Sequence, residues 1–269
     1  MGDVLLTTGI ISAYKSKHPD HQIFMHTRYP EVISRMEEIE GFCDNKEKLY
    51  EYCDRVFDLD LCYEKKPKMH ILNAYSEHVF QTQLFEVVQP KLKSTMEDKM
   101  KVEAFLNKHH IDMKKPCIII HALKSHANRT LPIETWNEVT DKLIARGYHV
   151  FLIGKENDLV PDNEKIFNML GQFSIFELRE LIKKAKAFIC CDSGPMHIAQ
   201  TTETPIIAIF SVANPLYRIW RNSGNGFSAV YAREGCIFCL ERIAPPVIMS
   251  DCKDPICLKS ITSKDILGW

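Results

Sequence analysis

Two rhythms of apolar residues alternate along this chain: short continuous runs of the kind that make buried strands, and three-to-four-residue spacings that make amphipathic helices. Val4, Thr7, Thr8, Ile11 and Tyr14 follow the helical rhythm until His18-Pro19 stops it. Gln22–His26 reads as a strand, Pro30–Met36 as a short helix and Arg55–Leu59 as a second strand. Tyr75–Val88 and Thr95–His109 read as helices. Around Ile111–Pro116 the pattern lapses into polar residues, which predicts a domain boundary there.

The pattern beyond it is more regular. Cys117–His121 is an apolar run, Ile133–Arg146 a helix closed by Gly147, and His149–Gly154 the next run. Ser174–Lys186 (helix), Ala187–Cys191 (strand), a helix from Pro195 to about Thr201 and Pro205–Phe210 (strand) follow. Strands alternating with helices predict an α/β fold with a doubly wound parallel sheet, and such sheets bind ligands beyond the carboxyl ends of their strands. The expected division is residues 1–115 and 116–269.

Composition narrows the partners. The 269 residues carry 34 Lys+Arg against 35 Asp+Glu, a net charge of -1, so no broad basic field gathers nucleic acid or anionic lipid. An anion site must be built locally. No run of about 18 apolar residues and no signal sequence is present, so a cytoplasmic protein with at most peripheral membrane association is expected. Six of the ten cysteines (Cys43, Cys53, Cys62, Cys117, Cys190, Cys191) are scattered and read as reduced thiols.

Three places invite chemistry. In Cys191-Asp192-Ser193-Gly194-Pro195-Met196-His197 a strand runs into a turn where Ser193 can cap a helix, Gly194 permits close approach and Pro195 suits the first turn. His197 would project toward the same place. An anion is the natural occupant, and an ordinary capped turn is the plain alternative. The loop after His121 carries Lys124 and Arg129 at the neighbouring strand end, where a guanidinium can grip a diphosphate bidentately or merely face solvent. Asp3 opens the first helix, either as its N-cap or as a carboxylate held ready as general base. Asp58-Leu59-Asp60 matches an acid-x-acid metal site only superficially and is assigned to structure.

Cys236, Cys239, Cys252 and Cys257 form a fourth constellation in a loop spanning 234–258. A closed structural Zn or Fe site, free thiols and disulfides all remain open on the spacing, and four sulfur ligands would leave no position for catalysis.

Gly2-Asp3-Val4-Leu5-Leu6-Thr7-Thr8, Asn128-Arg129-Thr130-Leu131-Pro132-Ile133-Glu134-Thr135-Trp136 and Asp192-Ser193-Gly194-Pro195-Met196-His197 together resemble glycosyltransferase family 9, the lipopolysaccharide heptosyltransferases. The resemblance implies a GT-B fold, two Rossmann-like domains facing a cleft, with acceptor on the N-terminal side and donor on the C-terminal side. Here the N-terminal domain would lack the strand that precedes Gly-Asp-Val. It implies Asp3 as the catalytic base, and Lys124, Arg129, Asp192, Ser193, Gly194, Met196 and His197 as ligands of a nucleoside-diphosphate sugar. It also implies an inverting, metal-independent transfer to a glycan, lipid-linked or protein hydroxyl, with no nucleic acid as partner. Some family members carry a cysteine-rich segment at this C-terminal position, and one branch binds iron there. A non-catalytic nucleotide-sugar-binding protein and an epimerase on the same fold are the alternatives.

Overall fold

The computed structural model describes residues 1–124, 127–220, 226–233, 235–241, 252 and 254–268. Part of the expected cysteine-rich loop, 242–251 above all, lies outside them. The chain folds into two units, Met1–Lys93 and Ser94–Trp269.

In the first unit, α1 (Gly2–Lys17) buries Leu5, Leu6, Ile10 and Ile11. A close approach of backbone seats it. A Cβ on Gly9 would lie 1.9 Å from the Val88 carbonyl oxygen, and Thr8 Oγ1 accepts from the Lys91 amide at 2.8 Å. Two two-residue strands, β1 (Phe24–Met25) and β2 (Gly41–Phe42), pair in parallel. α2 (Lys46–Tyr52) starts where Asn45 accepts from the Lys48 amide.

Three expectations fail or shrink in this unit. Arg55–Leu59 joins no ladder: Asp58 pairs with Lys46 at 2.6 Å and accepts from the Asp60 amide, while the Arg55 guanidinium lies over the Phe57 ring. The helix expected over 75–88 is α3 (Ile71–Phe80), ended by Gln81 at a left-handed φ of 59°. The returning chain is captured by side chains of that helix: Ser76 Oγ accepts from the Leu84 amide and Asn73 Oδ1 from the Phe85 amide. Pro30–Met36 shortens to a 3-10 turn at Pro30–Val32.

The second unit begins earlier than the polar stretch at 111–116 indicates. Thr95 and Asp98 form a capping box that starts α4 (Met96–Lys108), whose buried Val102 and Leu106 go with this unit, where α4 packs on α6 (Ile175–Ile182). Contacts made across the polar stretch outweigh its local lack of pattern, so the division falls after Lys93 and not at 115. The remaining elements are β3 (Cys117–His121), α5 (Ile133–Ala145), β4 (His149–Leu152), β5 (Phe167–Asn168), β6 (Ala187–Cys191), α7 (Gly194–Gln200), β7 (Ile206–Ile209), β8 (Phe227–Val230), α8 (Ile256–Lys259) and α9 (Ser263–Leu267).

The six strands are parallel in the order β5-β4-β3-β6-β7-β8. Relative to chain order the sheet grows one way from β3 and then the other, so its topological switch point lies between β3 and β6, the position at which open α/β sheets take ligands. β3 is buried at every position, as befits a central strand covered on both faces. Ile118, Ile120, Val150, Leu152 and Ile189 face a core shared with Trp136, Val139 and Leu143 of α5 and with Leu258, Ile261 and Ile266. No helix among the described residues is long and apolar enough to cross a membrane.

Candidate functional site

β3 and β6 are neighbours, with His121 in register with Cys190, so the two loops singled out in the sequence leave the sheet side by side. Their ends are joined directly. Arg129 Nη1 donates to the Asp192 carbonyl at 3.3 Å, and His121 Nδ1 lies 3.0 Å from Ser193 Oγ. Arg129 closes a 3-10 turn (Ala127–Arg129), which Ser211 ties down from beyond β7 through its hydroxyl on the Asn128 carbonyl. The guanidinium has no carboxylate partner among the described residues, and its Nε is buried without a hydrogen bond. A buried N–H of that kind is costly unless something absent from the free chain receives it.

The turn after β6 differs from its expected form. Ser193 occupies the N-cap position of α7, yet its side chain caps nothing. Its hydroxyl lies 3.1 Å from the Cys191 carbonyl and 3.0 Å from His121 Nδ1 instead. Gly194 is the first helical residue and Pro195 falls in the first turn after it. Asp192, Ser193, Met196 and His197 are all buried, and His197 Nδ1 lies 3.3 Å from Gln200 Nε2. Behind them burial pushes the Cys190 thiol well up and that of Cys191 up to about 12, so both stay protonated packing groups.

Lys124 is exposed at its side chain, while its amide donates to Asp158 Oδ1 at 3.0 Å. Asp158 is the group that sequence reasoning missed. It is buried, and it also accepts from the Lys155 amide at 2.8 Å and faces His121 Nε2 at 3.3 Å. Burial pushes its carboxyl up, but His121 and the two amides outweigh that and hold it below the usual aspartate value. Gly154 at the end of β4, with an acid four residues on, was the available signal, since β4 also ends at this sheet edge.

In the first unit Asp3 is not a cap: α1 already begins at Gly2, and Asp3 stands exposed in the first turn. Tyr63 Oη donates to its Oδ1 at 3.4 Å. Tyr75 stacks edge-on against Tyr63, and its phenol is pushed well up by burial and then by the Asp3 charge.

None of the ten cysteines forms a disulfide. Among the described residues no three His, Cys, Asp or Glu side chains are grouped closely enough to hold a metal ion, so the four C-terminal cysteines are not a closed ligand shell here. They are nonetheless neighbours. Burial, then Cys236 and Cys252, push the Cys239 thiol up; burial, then Cys236, Cys252 and Cys239, push Cys257 up to about 11. Asp58 and Asp60 make no metal pair either, Asp58 being bound to Lys46.

The fold resembles that of solved heptosyltransferases. E. coli ADP-heptose LPS heptosyltransferase II superposes with a TM-score of 0.69 at 17% identity, covering 99% of this chain and 93% of that one. The iron-containing dodecameric glycosyltransferase TibC of enterotoxigenic E. coli gives 0.69 at 15% identity, over 99% of this chain and 72% of that one. In sequence, lipopolysaccharide heptosyltransferase 3 of Escherichia coli is 34% identical over 110 residues, 37% of this chain and 32% of that protein. The match thus spans about a third of that curated relative's length. The profile of glycosyltransferase family 9 (heptosyltransferase) matches residues 55–242, which contain both loops of the switch point. On a match across more than half of its length, this chain belongs to glycosyltransferase family 9.

Proposed function

We propose that the protein is a heptosyltransferase-like enzyme that moves a sugar from a nucleoside-diphosphate sugar, ADP-heptose or a near relative, to a hydroxyl of a growing glycan of the lipopolysaccharide type. The observation that carries this reading is Arg129, a guanidinium with no carboxylate in ion-pair contact among the described residues and a buried Nε without a hydrogen bond, held at the carboxyl ends of two central strands against the Asp192 carbonyl. In this reading Arg129, Lys124 and the turn Asp192–His197 hold the diphosphate and sugar. The proton of the acceptor hydroxyl passes to Asp3, the acceptor oxygen bonds to the anomeric carbon from the face opposite the diphosphate, and the carbon–oxygen bond to the diphosphate breaks. The configuration inverts, the leaving group departs as nucleoside diphosphate, and no metal is required because Arg129 offsets its charge.

The experiment is a thermal-shift titration with ADP-, GDP- and UDP-sugars, in which a ligand at 100 times its dissociation constant adds about 2.7 kcal/mol of stability. Arg129→Ala removes the shift and costs on the order of 2–4 kcal/mol of barrier. Asp3→Asn keeps the shift and loses transfer. Retention of transfer in Asp3→Asn would refute the base assignment, and binding without turnover in the unsubstituted protein would favour a non-catalytic nucleotide-sugar-binding role.

The four cysteines are proposed as a structural Fe or Zn site. The donor set is all sulfur, and because no three of these side chains are grouped closely enough among the described residues, a metal that displaces the thiol protons would have to draw them together. The iron-containing TibC shares the fold. Elemental analysis of purified protein, with Cys236→Ser as control, tests this; absence of both metals refutes it.

A further inference from the structure

Asp158, on the loop after β4, reaches three strand ends at once. Its Oδ1 accepts from the Lys124 amide beyond β3, its Oδ2 accepts from the Lys155 amide beyond β4, and the same Oδ2 faces His121, whose other ring nitrogen faces Ser193 beyond β6. All three side chains are buried, at 8% for Asp158, 3% for His121 and 9% for Ser193. A backbone amide can only donate, so both oxygens of Asp158 accept, and with its carboxyl held ionised by these contacts His121 Nε2 brings the proton to Oδ2. Nδ1 is left to Ser193. The Cys191 carbonyl, 3.1 Å from the same hydroxyl, can only accept, so the Ser193 proton goes either to it or to Nδ1 and stays inside the protein.

A glycine elsewhere is fitted to the same array. Gly154 holds φ of 146°, and a Cβ there would fall 2.5 Å from Asp158 Oδ2 and 3.0 Å from His121 Cδ2. Neither the carboxylate nor the ring could keep its place beside any larger residue.

We propose that Asp158 and His121 are positioning residues of the donor site: Asp158 fixes His121 as the Nε2–H tautomer, and His121 in turn fixes Ser193 and the turn that carries Asp192 and Gly194 against the Arg129 loop. This deepens the donor-site reading and rests on it for the ligand, while the arrangement of protons stands without it. Ser193, with its hydrogen committed inward, meets a ligand only as an acceptor, so it suits a sugar or ribose hydroxyl and not a phosphate oxygen.

Two measurements test the pair. Long-range nitrogen–proton NMR of ring-labelled histidine, with His121→Gln to assign the signal, reads the tautomer at about pH 8, above the ordinary histidine range. A neutral Nε2–H ring supports the proposal, and a neutral Nδ1–H ring or a doubly protonated ring overturns it. Calorimetric titration with ADP compares His121→Gln, which keeps one donor and one acceptor, with His121→Phe, which keeps only the volume. The expected result is affinity within about threefold of the parent for Gln and a loss of about tenfold for Phe, the worth of one positioned hydrogen bond. Equal affinities for the two variants overturn the proposal. If His121→Phe does not fold, Gly154→Ala, whose methyl displaces Asp158 Oδ2, replaces it with the same expected loss. If the parent protein binds none of ADP, GDP and UDP, the diphosphate reading fails, and the tautomer alone decides the arrangement of protons.

Discussion

The two units of this chain hold themselves together by different means. In Ser94–Trp269 the backbone is satisfied by a six-stranded parallel ladder, and its four inner strands, β4, β3, β6 and β7, are mostly buried apolar runs. In Met1–Lys93 the ladder has two residues per strand, and much of the chain is held by side chains on backbone: Thr8 on Lys91, Asn73 on Phe85, Ser76 on Leu84, with Gly9 against Val88. A ladder tolerates many apolar sequences of the right volume, whereas an arrangement of single polar contacts depends on each named residue. The second unit is therefore expected to fail through its apolar core and the first through small or polar positions.

The largest effect expected is from Trp136→Ala, which empties a fully buried site between α5 and the sheet and costs about 3–5 kcal/mol in a denaturant titration followed by fluorescence. Gly9→Ala comes next. With a methyl 1.9 Å from a carbonyl oxygen, α1 must move off the Val88 segment, at about 3 kcal/mol, seen as loss of amide-exchange protection confined to residues 1–93. Asn73→Ala leaves the Phe85 amide without its acceptor and costs about 1–2 kcal/mol, while a volume-conserving apolar exchange such as Leu143→Met in the other unit costs less than about 1.5 kcal/mol. If Asn73→Ala proves neutral, the contrast between the units is wrong.

The smallest effect is a pH dependence that belongs to the second unit. Asp158 titrates below its ordinary value in the fold, so the stability it contributes is complete above about pH 4 and is lost as pH falls through its lowered folded value. His149 is also lowered, by burial and then by Lys115, so the unfolded chain takes up its proton first and stability begins to decline below about pH 6.5. Urea midpoints of the parent and His149→Gln between about pH 4 and pH 7 should diverge, with the parent falling more steeply.

The same difference governs how much could be read from sequence. Cys117–His121, Ala187–Cys191 and the helices between them were legible because a strand buried on both faces writes a continuous apolar run. In the first unit Arg55–Leu59 carries a strand-like pattern but Asp58 and Arg55 find side-chain partners, and β2 is two residues that no periodicity could mark. Arg129, Asp192 and Ser193 were legible as residues of neighbouring strand ends. Asp158 was not, because its meaning depends on β4 and β6 flanking β3, and strand order is a long-range property. The direction of the Ser193 hydroxyl was missed for a related reason: the local rule makes it a cap, and the Cys191 carbonyl together with a histidine from another strand holds it instead.

The sheet order also has a consequence for synthesis. β3 is the first strand of its sheet to leave the ribosome, yet it ends up in the middle, and its partner on the switch-point side does not exist until Ala187–Cys191 has been translated. Until then the nascent chain presents Ile118-Ile119-Ile120 with one edge unpaired, a segment with strong β propensity and no charge. Nascent chains stalled before residue 187 should be the ones that chaperones hold.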